Sequence, residues 1–393
     1  MWKPVRYAFS RDTLQYRKIE NSVSPVSRKP TMKKGDGRLL RSELLGGMQM
    51  TYTSAWVDKP KHISIVSKEL RDLEATEVLV RVKACGICGT DLHFFDDLPN
   101  KTITPLGHEV AGLVEAMGTS VTDLEIGTNV IVQNNVACTT CTSCLNQDPS
   151  SCSDIQTYMD DQAGMGEYLI VPRSMVIPFE GLSFAEATLA EPITVALDLC
   201  READIQLFDD VLIMGPGVIG LSCIPLSRLR GANKIVVVGR SLTTIRGKYR
   251  EKVAYKLGAD LVVDSATPNW KKKLKEQFPD LFNRVIVTSP PKTVSDGIDL
   301  AGFHGQIVFD GIDFVDDRIT FKANDFHFAK KRLIASHAIP NWGFPQAFEL
   351  LKKRIIPSSL VLTHRFHFTE LEQAFAMFNK KDEEVIKPVI LID

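Results

Sequence analysis

Apolar and polar residues alternate in short runs from about residue 50 to about residue 132. Runs of this kind begin at Ile63, Glu77, Val110 and Asn129, and Gly, Pro and Asp residues separate them. Alternation with a period of two is typical of strands that bury one face and expose the other. The pattern therefore predicts a small antiparallel β-barrel, a rigid scaffold whose loops can carry functional side chains.

The pattern changes near residue 211, where continuous apolar runs begin to alternate with helical stretches. These runs cover residues 211–214, 234–238, 261–264, 284–288, 306–309 and 332–336. Short β-branched runs separated by helices are typical of parallel strands covered on both faces. The second half of the chain is therefore predicted to form a doubly wound α/β sheet.

The chain has 393 residues, which is too long for one ordinary core and suits two domains. Its formal net charge of −1 gives no general attraction to nucleic acid or to an anionic membrane. The longest apolar run, residues 211–226, contains glycines and a proline and is short for a membrane span. We expect neither nucleic acid nor membrane as a partner.

The N-terminal segment differs from the rest in charge. Residues 1–47 carry eleven Lys or Arg and four Asp or Glu, so their net charge is 11 − 4 = +7. They show no strand or helix periodicity, and we predict that residues 1–49 form a basic, disordered extension. With such an extension, Met48 or Met50 could be the true start of translation, and an Arg-rich organelle transit peptide is the alternative.

Half of the eight cysteines form a tight quartet with the spacing C-x2-C-x2-C-x7-C. Four thiolates close a tetrahedral shell without an open position, so the quartet predicts a structural zinc site. A disulfide pair and an iron–sulfur cluster are the alternatives. No secretory signal precedes the cluster, which favours metal ligation in the reducing cytoplasm. The quartet consists of Cys138, Cys141, Cys144 and Cys152.

A second group of potential metal ligands lies upstream, where Cys88 is followed by Gly107-His108-Glu109. Taken singly, Cys88 could be a small buried apolar residue and His108 an ordinary core histidine. Thr90 and Asp91 could each cap a helix that begins near residue 92. The combined pattern instead predicts a catalytic zinc held by Cys88, His108 and a carboxylate, with one coordination position left open.

The predicted strand 211–214 runs directly into G-x-G-x-x-G, and a helical pattern and another strand follow. In that context the glycines let the backbone approach a pyrophosphate at the N-terminus of the helix. We therefore predict a dinucleotide site at this turn. Its residues are Gly215, Gly217, Val218, Ile219 and Gly220.

The end of the next strand reads Gly239-Arg240-Ser241 and carries no acidic residue. An acidic side chain there would accept hydrogen bonds from the ribose hydroxyls of NAD, whereas a guanidinium can pair with the 2′-phosphate of NADP. We therefore favour NADP over NAD, with Arg246 and Lys248 as possible further contacts. The alternative is that Arg240 is an ordinary surface arginine.

Together these motifs resemble the zinc-dependent medium-chain alcohol and polyol dehydrogenases, in particular the sorbitol and threonine dehydrogenase branch. The resemblance extends from about residue 50 to residue 393 and includes the tail Leu362-Thr-His-Arg-Phe. It implies a GroES-like β-barrel catalytic domain formed by residues 50–190 and 338–393. It also implies a Rossmann dinucleotide-binding domain formed by residues 191–337.

The resemblance also implies roles for individual residues. Glu191 binds the catalytic zinc directly or through water, and whether Glu191 or Glu109 is the direct ligand stays open. Thr90 contacts the reacting alcohol, and His93 relays its proton. A homodimer or homotetramer is expected.

The implied reaction transfers hydride between a secondary alcohol, of polyol, sugar or cyclitol type, and NADP or NAD. An L-threonine 3-dehydrogenase-like activity is an alternative, because its motifs overlap. A non-catalytic dinucleotide-binding protein or a zinc-free reductase would not need the ligand and relay residues, so both are less favoured.

Overall fold

The computed structural model describes residues 50–97 and 103–393. The predicted disordered extension, residues 1–49, lies outside the described residues, as do residues 98–102. Within the described part of the chain, no helix is both long and apolar enough to cross a membrane.

The first half of the chain forms short strands in the alternating regions. Val78, Val80 and Val82 of one strand are fully buried, which explains why the period-two pattern holds there. The strands are β1 Thr51–Lys59, β2 His62–Glu69, β3 Glu77–Gly86, β4 Thr104–Pro105, β5 Glu109–Met117, β6 Asn129–Val132, β7 Asn135–Val136, β8 Gln156–Thr157, β9 Tyr168–Pro172 and β10 Val176–Pro178.

The second half forms a six-stranded parallel sheet with the order β13-β12-β11-β14-β15-β16. The strand order reverses between β11 and β14, and such a switch point opens a crevice for a ligand at the carboxyl ends of the strands. The strands are β11 Asp210–Met214, β12 Lys234–Gly239, β13 Leu261–Asp264, β14 Phe282–Val287, β15 Ala301–Phe309 and β16 Arg332–Ala335. The predicted doubly wound sheet is confirmed.

The C-terminal strands, β17 Leu362–His367 and β18 Lys387–Leu391, return to the first unit. They complete a seven-stranded sheet with the order β10-β6-β5-β3-β18-β17, in which β9 also pairs with β3. A second sheet has the order β2-β1-β4, and the pair β7-β8 stands apart. The mainly antiparallel architecture agrees with the predicted barrel.

Helices flank the sheets and connect the two units. The α-helices are α1 Gly89–Asp97, α2 Thr142–Leu145, α3 Phe184–Ala187, α4 Ala190–Glu202, α5 Val218–Leu229, α6 Ile245–Lys256, α7 Trp270–Gln277, α8 Val294–Leu300, α9 Ala323–Phe328, α10 Phe344–Lys352, α11 Ser358–Val361 and α12 Leu371–Asn379. Short 3-10 helices cover Pro149–Ser151, Arg173–Met175, Pro291–Thr293 and Phe368–Glu370.

Arginines of α6 attach the parallel-sheet unit to the C-terminal segment. The Arg246 guanidinium donates hydrogen bonds to the carbonyls of Phe378 (2.5 Å) and Lys380, and Arg250 Nε donates to the carbonyl of Val385 (3.3 Å). Arg246 therefore ties the two units together. The contact suggested between Arg246 and the 2′-phosphate stays a prediction, although the Nη2 group already binds these two carbonyls.

Candidate active site

Cys88 and the His108–Glu109 pair meet at the ends of two paired strands. Gly86, the last residue of β3, stands opposite Glu109, the first residue of β5. One ligand atom from each of Cys88, His108 and Glu109 lies within 4.8 Å of the others. His108 and Glu109 are buried, while Cys88 is partly exposed. The structure thus brings together the three residues predicted to bind the catalytic zinc.

Asp91 holds the two ligand-bearing segments in place. Its Oδ2 accepts a hydrogen bond from the backbone N–H of Cys88, and its Oδ1 accepts one from the N–H of Gly107, both at 2.9 Å. The same Oδ1 lies 3.9 Å from Nδ1 of His108. The sequence suggested Asp91 only as a helix cap. In the structure its buried carboxylate fixes the spacing between Cys88 and His108.

Glu109 has a buried counter-charge from the far end of the chain. Lys387 Nζ lies 2.5 Å from Glu109 Oε1 and donates to the carbonyl of Ile87 at 2.8 Å. Burial alone would lower the pKa of Lys387, but the negative charges of Glu109 and Cys88 outweigh it, so the pKa lies above its ordinary value. Sequence reasoning missed Lys387, although a single lysine inside the apolar stretch 385–392 was a signal.

The residues present fit a divalent metal ion. Glu109 Oε2 is buried and has no hydrogen-bond partner among the described residues. Burial opposes protonation of His108, but the charges of Cys88 and Asp91 raise its pKa well above the ordinary value. A site that gathers this much negative charge around an unpaired oxygen needs a cation. Sulfur, nitrogen and oxygen ligands in this number suit zinc.

Glu191 lies beside this group, in the first turn of α4. Asn134 and Asn341 each place an amide nitrogen 3.5 Å from its Oε1, which is long for a hydrogen bond. Burial, with a further contribution from Glu109, raises the pKa of Glu191 to about 7. Among the described residues, the set of ligand atoms within 4.8 Å of one another includes Glu109 but not Glu191. Asn134 and Asn341 are further site residues that the sequence did not indicate.

The two predicted proton-transfer residues lie on α1. Thr90 Oγ1 is 3.8 Å from Cys88 Sγ. The ring of His93 packs edge-on against Phe314, with 5.6 Å between ring centroids, and Phe94 stacks on the same ring at 6.5 Å. Phe314 belongs to the loop between β15 and α9, so the parallel-sheet unit contacts the unit that carries Cys88, His108 and Glu109.

The cysteine quartet forms a compact group of thiols. The Sγ–Sγ distances are 4.0 Å for Cys138–Cys144, 3.9 Å for Cys141–Cys152 and 3.6 Å for Cys152–Cys138. Four sulfurs bonded to zinc at the usual length stand roughly 3.8 Å apart, because that is the edge of the tetrahedron. No disulfide joins them. The geometry fits a metal ion and disfavours the disulfide alternative.

The electrostatics of the quartet also suit a cation. Backbone N–H groups lower the pKa of Cys141 to about 5, whereas burial and neighbouring thiols raise that of Cys144 to about 12. Backbone N–H groups also donate hydrogen bonds to sulfur. The N–H of Cys138 donates to Cys152 Sγ, and the N–H of Cys141 donates to Cys138 Sγ, both at 3.3 Å. These donors favour thiolate, the form that binds metal.

The glycine-rich turn between β11 and α5 is shaped for close approach. Gly215 has a φ of +110°, and a Cβ on Gly220 would lie 2.0 Å from the Gly215 carbonyl oxygen. Gly217 is the N-terminal cap of α5, and there is open space where a Cβ would stand. The N–H groups at the start of α5, including those of Val218 and Ile219, are therefore available for a pyrophosphate.

The end of β12 presents Arg240 to solvent. A Cβ on Gly239 would lie 2.7 Å from Leu242, so the strand end packs closely. Asp264, at the end of β13, accepts hydrogen bonds from the N–H groups of Ser241 (2.9 Å) and Leu242 (2.8 Å). The carboxylate nearest this turn is thus engaged with the backbone, and a guanidinium is the exposed group.

Comparison with known families places these features in context. Residues 74–181 match the alcohol dehydrogenase GroES-like domain, and residues 218–353 match the zinc-binding dehydrogenase domain. An L-threonine 3-dehydrogenase of Stenotrophomonas maltophilia is 30% identical over 244 residues, which is 60% of this chain and 70% of that protein.

Two further comparisons cover most of the chain. The L-galactonate-5-dehydrogenase of Escherichia coli K12 is 28% identical over 337 residues, 84% of this chain and 96% of that protein. A solved Escherichia coli oxidoreductase of unknown specificity superimposes with a TM-score of 0.78 at 25% identity, covering 88% of this chain and 100% of that one. The chain is a nicotinamide-dependent alcohol oxidoreductase and belongs to the zinc-type medium-chain alcohol dehydrogenase family.

Proposed function

We propose that this enzyme interconverts a secondary hydroxyl group and a ketone on a polyol, sugar or sugar-acid substrate, with NADP as the preferred hydride carrier. The observation that carries the proposal is the cluster of Cys88, His108 and Glu109 at the cleft that Phe314 crosses. Relatives named L-galactonate-5-dehydrogenase, D-arabinitol dehydrogenase and L-idonate 5-dehydrogenase support the substrate class.

Cys88, His108 and Glu109 would hold the catalytic zinc, and Glu191 is close enough to tune it. Bound there, zinc supplies a Lewis acid that lowers the pKa of the substrate hydroxyl. Asp91 keeps the ligand-bearing segments at a fixed separation. The unpartnered Glu109 Oε2 supports Glu109 as the direct ligand.

Thr90 and His93 would move the proton. Thr90 Oγ1, beside Cys88 Sγ, accepts the proton of the substrate hydroxyl in a hydrogen bond and passes its own proton on. His93, within the same helix, takes that proton toward solvent. Phe314 covers one edge of the His93 ring and limits water on that side.

The cysteine quartet would hold a second, structural zinc. The residues around it are mostly exposed and polar, so an ion must supply cohesion that a hydrophobic core would otherwise provide. One catalytic and one structural ion per chain is therefore our proposal.

NADP preference rests on Arg240. Replacing it, Arg240→Asp, should reduce kcat/KM with NADP by about 10–100-fold and leave kcat/KM with NAD equal or higher, because a carboxylate repels the 2′-phosphate. Steady-state kinetics with both cofactors measure the ratio, and Arg230→Asp on another exposed site of the domain serves as the control. An unchanged NADP preference would remove Arg240 from the site.

The substrate class is tested by an NADP-coupled panel of alditols, aldonates, cyclitols, simple alcohols and threonine. We expect the highest kcat/KM among polyhydroxy compounds. L-Threonine is the second candidate, favoured by the 30% identity to the L-threonine 3-dehydrogenase, and a kcat/KM for threonine above all polyols would select it.

We further propose two domains, 50–190 with 338–393 and 191–337, and a homodimer or homotetramer in the cytoplasm. The pairing of β18 with β3 supports the first domain.

The edge strand β16 and the exposed Phe303 and Phe328 support self-association. None of the eight cysteines, all of which the structure describes, forms a disulfide, and this suits a reducing compartment. Light scattering on the purified chain measures the assembly state.

A further inference from the structure

A buried ammonium faces the proposed catalytic metal site, and the proposed reaction gives it no task. The side chain of Lys387 is 2% exposed, and that of Glu109 is fully buried. A buried lysine is costly unless it is paired. Lys387 meets that need with one carboxylate oxygen and one backbone carbonyl.

Three strands confine the Glu109 carboxylate. Glu109 on β5 stands opposite Gly86 on β3, and Gly86 also pairs with Val389 on β18, two residues after Lys387. A Cβ on Gly86 would lie 1.9 Å from Glu109 Oε2. The missing Cβ makes room for Oε2, while Lys387 binds Oε1. The two oxygens therefore have different surroundings, and only Oε2 lacks a partner among the described residues.

This asymmetry matters because a carboxylate can bind a metal through one oxygen or both. A catalytic zinc site needs three protein ligands and one open position for the substrate. A carboxylate free to rotate beside the metal can bring in its second oxygen and fill that position. A strong charge-assisted hydrogen bond to Oε1 opposes the rotation.

We propose that Lys387 restrains Glu109 so that only Oε2 is offered to the metal, which keeps one coordination position open. Lys387 is thus a positioning residue that acts through Glu109. The proposal rests on the metal site of the proposed function. The restraint on Glu109 lowers the affinity for the metal and keeps one position open. Removing Lys387 should therefore tighten metal binding, whereas loss of a purely structural contact would weaken it.

The test uses the full-length enzyme loaded with cobalt, whose visible absorption weakens as coordination rises from four to five. The variant is Lys387→Met, which removes the charge and keeps the length of the side chain. We expect cobalt and zinc to bind about 10–100-fold more tightly in chelator competition, with weaker visible bands and a lower kcat. The matched control is Lys331→Met. Lys331 also donates to a backbone carbonyl, that of Ile298 at 2.6 Å, but lies in the other domain.

Two further variants make the result specific. In a Glu109→Gln background, Lys387→Met should change metal affinity by no more than about threefold, because the restrained carboxylate is gone. Gly86→Ala pushes on Oε2 from the opposite side and should weaken metal binding. If Lys387→Met does not fold, Gly86→Ala decides: unchanged affinity and spectrum there would overturn the proposal.

The outcomes distinguish failure of the role proposed for Lys387 from failure of the proposed metal site. A cobalt absorption component that Cys88→Ser abolishes shows that the site exists, and its absence would end both proposals. If that component is present, unchanged or weaker metal binding in Lys387→Met overturns the role of Lys387 alone. Tighter binding with weaker bands supports it.

Discussion

At the scale of single residues, the buried charges near the active site are paired with specific partners. Asp91 accepts hydrogen bonds from two backbone N–H groups, and Glu109 forms an ion pair with Lys387. Removing one member of such a pair leaves a buried charge without compensation, which usually costs more than the pair itself contributes. The site is therefore sensitive to changes in residues that never contact the substrate.

Asp310, at the carboxyl end of β15, is an exception to this pairing. Its buried Oδ1 has no hydrogen-bond partner among the described residues, and burial, with the charge of Asp198, raises its pKa from 3.8 to about 7. The folded protein therefore holds this proton more strongly than the unfolded chain. Its contribution to stability is complete below about pH 4 and is lost as the pH rises through about 7.

We therefore expect Asp310→Asn to stabilise the cofactor-free protein at pH 8, by on the order of 4 kcal/mol in the free energy of unfolding, and to have little effect at or below about pH 4. Urea unfolding at several pH values measures this difference. The exposed Asp325→Asn is the control and should change the free energy by less than about 0.5 kcal/mol at every pH. A pH-independent effect of Asp310→Asn would contradict the assignment.

At the scale of elements, the loop between β15 and α9 connects the parallel-sheet unit to α1, the helix proposed to transfer the proton. Phe314 is its contact residue, packing on His93 and Phe94. Such a contact across a cleft can hold the two domains in the geometry that the reaction needs.

Phe314→Ala should therefore raise KM for the alcohol by about tenfold, with a smaller fall in kcat, because the substrate side of the cleft opens to water. Steady-state kinetics at saturating cofactor give both constants. Phe208→Ala, at an aromatic ring that is 80% exposed and lies before β11, should leave them unchanged. Equal effects of the two substitutions would show that Phe314 has no special role.

The ion proposed for the cysteine quartet would order the loop that carries it. Cys141→Ser should remove about one zinc per chain and make residues 138–152 at least about tenfold more sensitive to protease, because the ligand shell becomes incomplete. Metal analysis and limited proteolysis with mass mapping measure both effects. Cys200→Ser, at a buried thiol between α4 and α5, is the control and should retain its zinc. Full zinc content in Cys141→Ser would argue against a four-cysteine site.

At the scale of the whole molecule, two links hold the domains around the cleft. Arg246 and Arg250 bind backbone carbonyls of the C-terminal segment. On the other side, Trp342 Nε1 donates to Asp198 on α4 at 2.8 Å, while Asn341 approaches Glu191. These contacts link the unit that carries Cys88, His108 and Glu109 to the unit that carries the glycine-rich turn.

How much of the fold and of the candidate site could be predicted depends on how far apart the interacting residues lie in the sequence. Strand alternation, the quartet spacing and the glycine-rich turn are local patterns, so the sequence indicated both folding units and most ligand candidates. The Glu109–Lys387 pair joins residues 278 positions apart, and the Arg246 contacts cross domains. A local pattern can indicate a buried charge, such as the lysine in the apolar stretch 385–392, but it does not identify the partner, because strand order and domain docking bring the two residues together. The cross-domain contacts of Arg246 likewise could not be predicted from its local sequence.

The central claim is that Cys88, His108 and Glu109 hold the catalytic metal ion. The most direct measurement is an anomalous difference map, collected on both sides of the zinc absorption edge, from crystals of the zinc-loaded enzyme. We expect a zinc peak within bonding distance of these three residues, in addition to one at the cysteine quartet. A peak at the quartet alone, with the Cys88 site fully ordered and empty in zinc-saturated crystals, would contradict it.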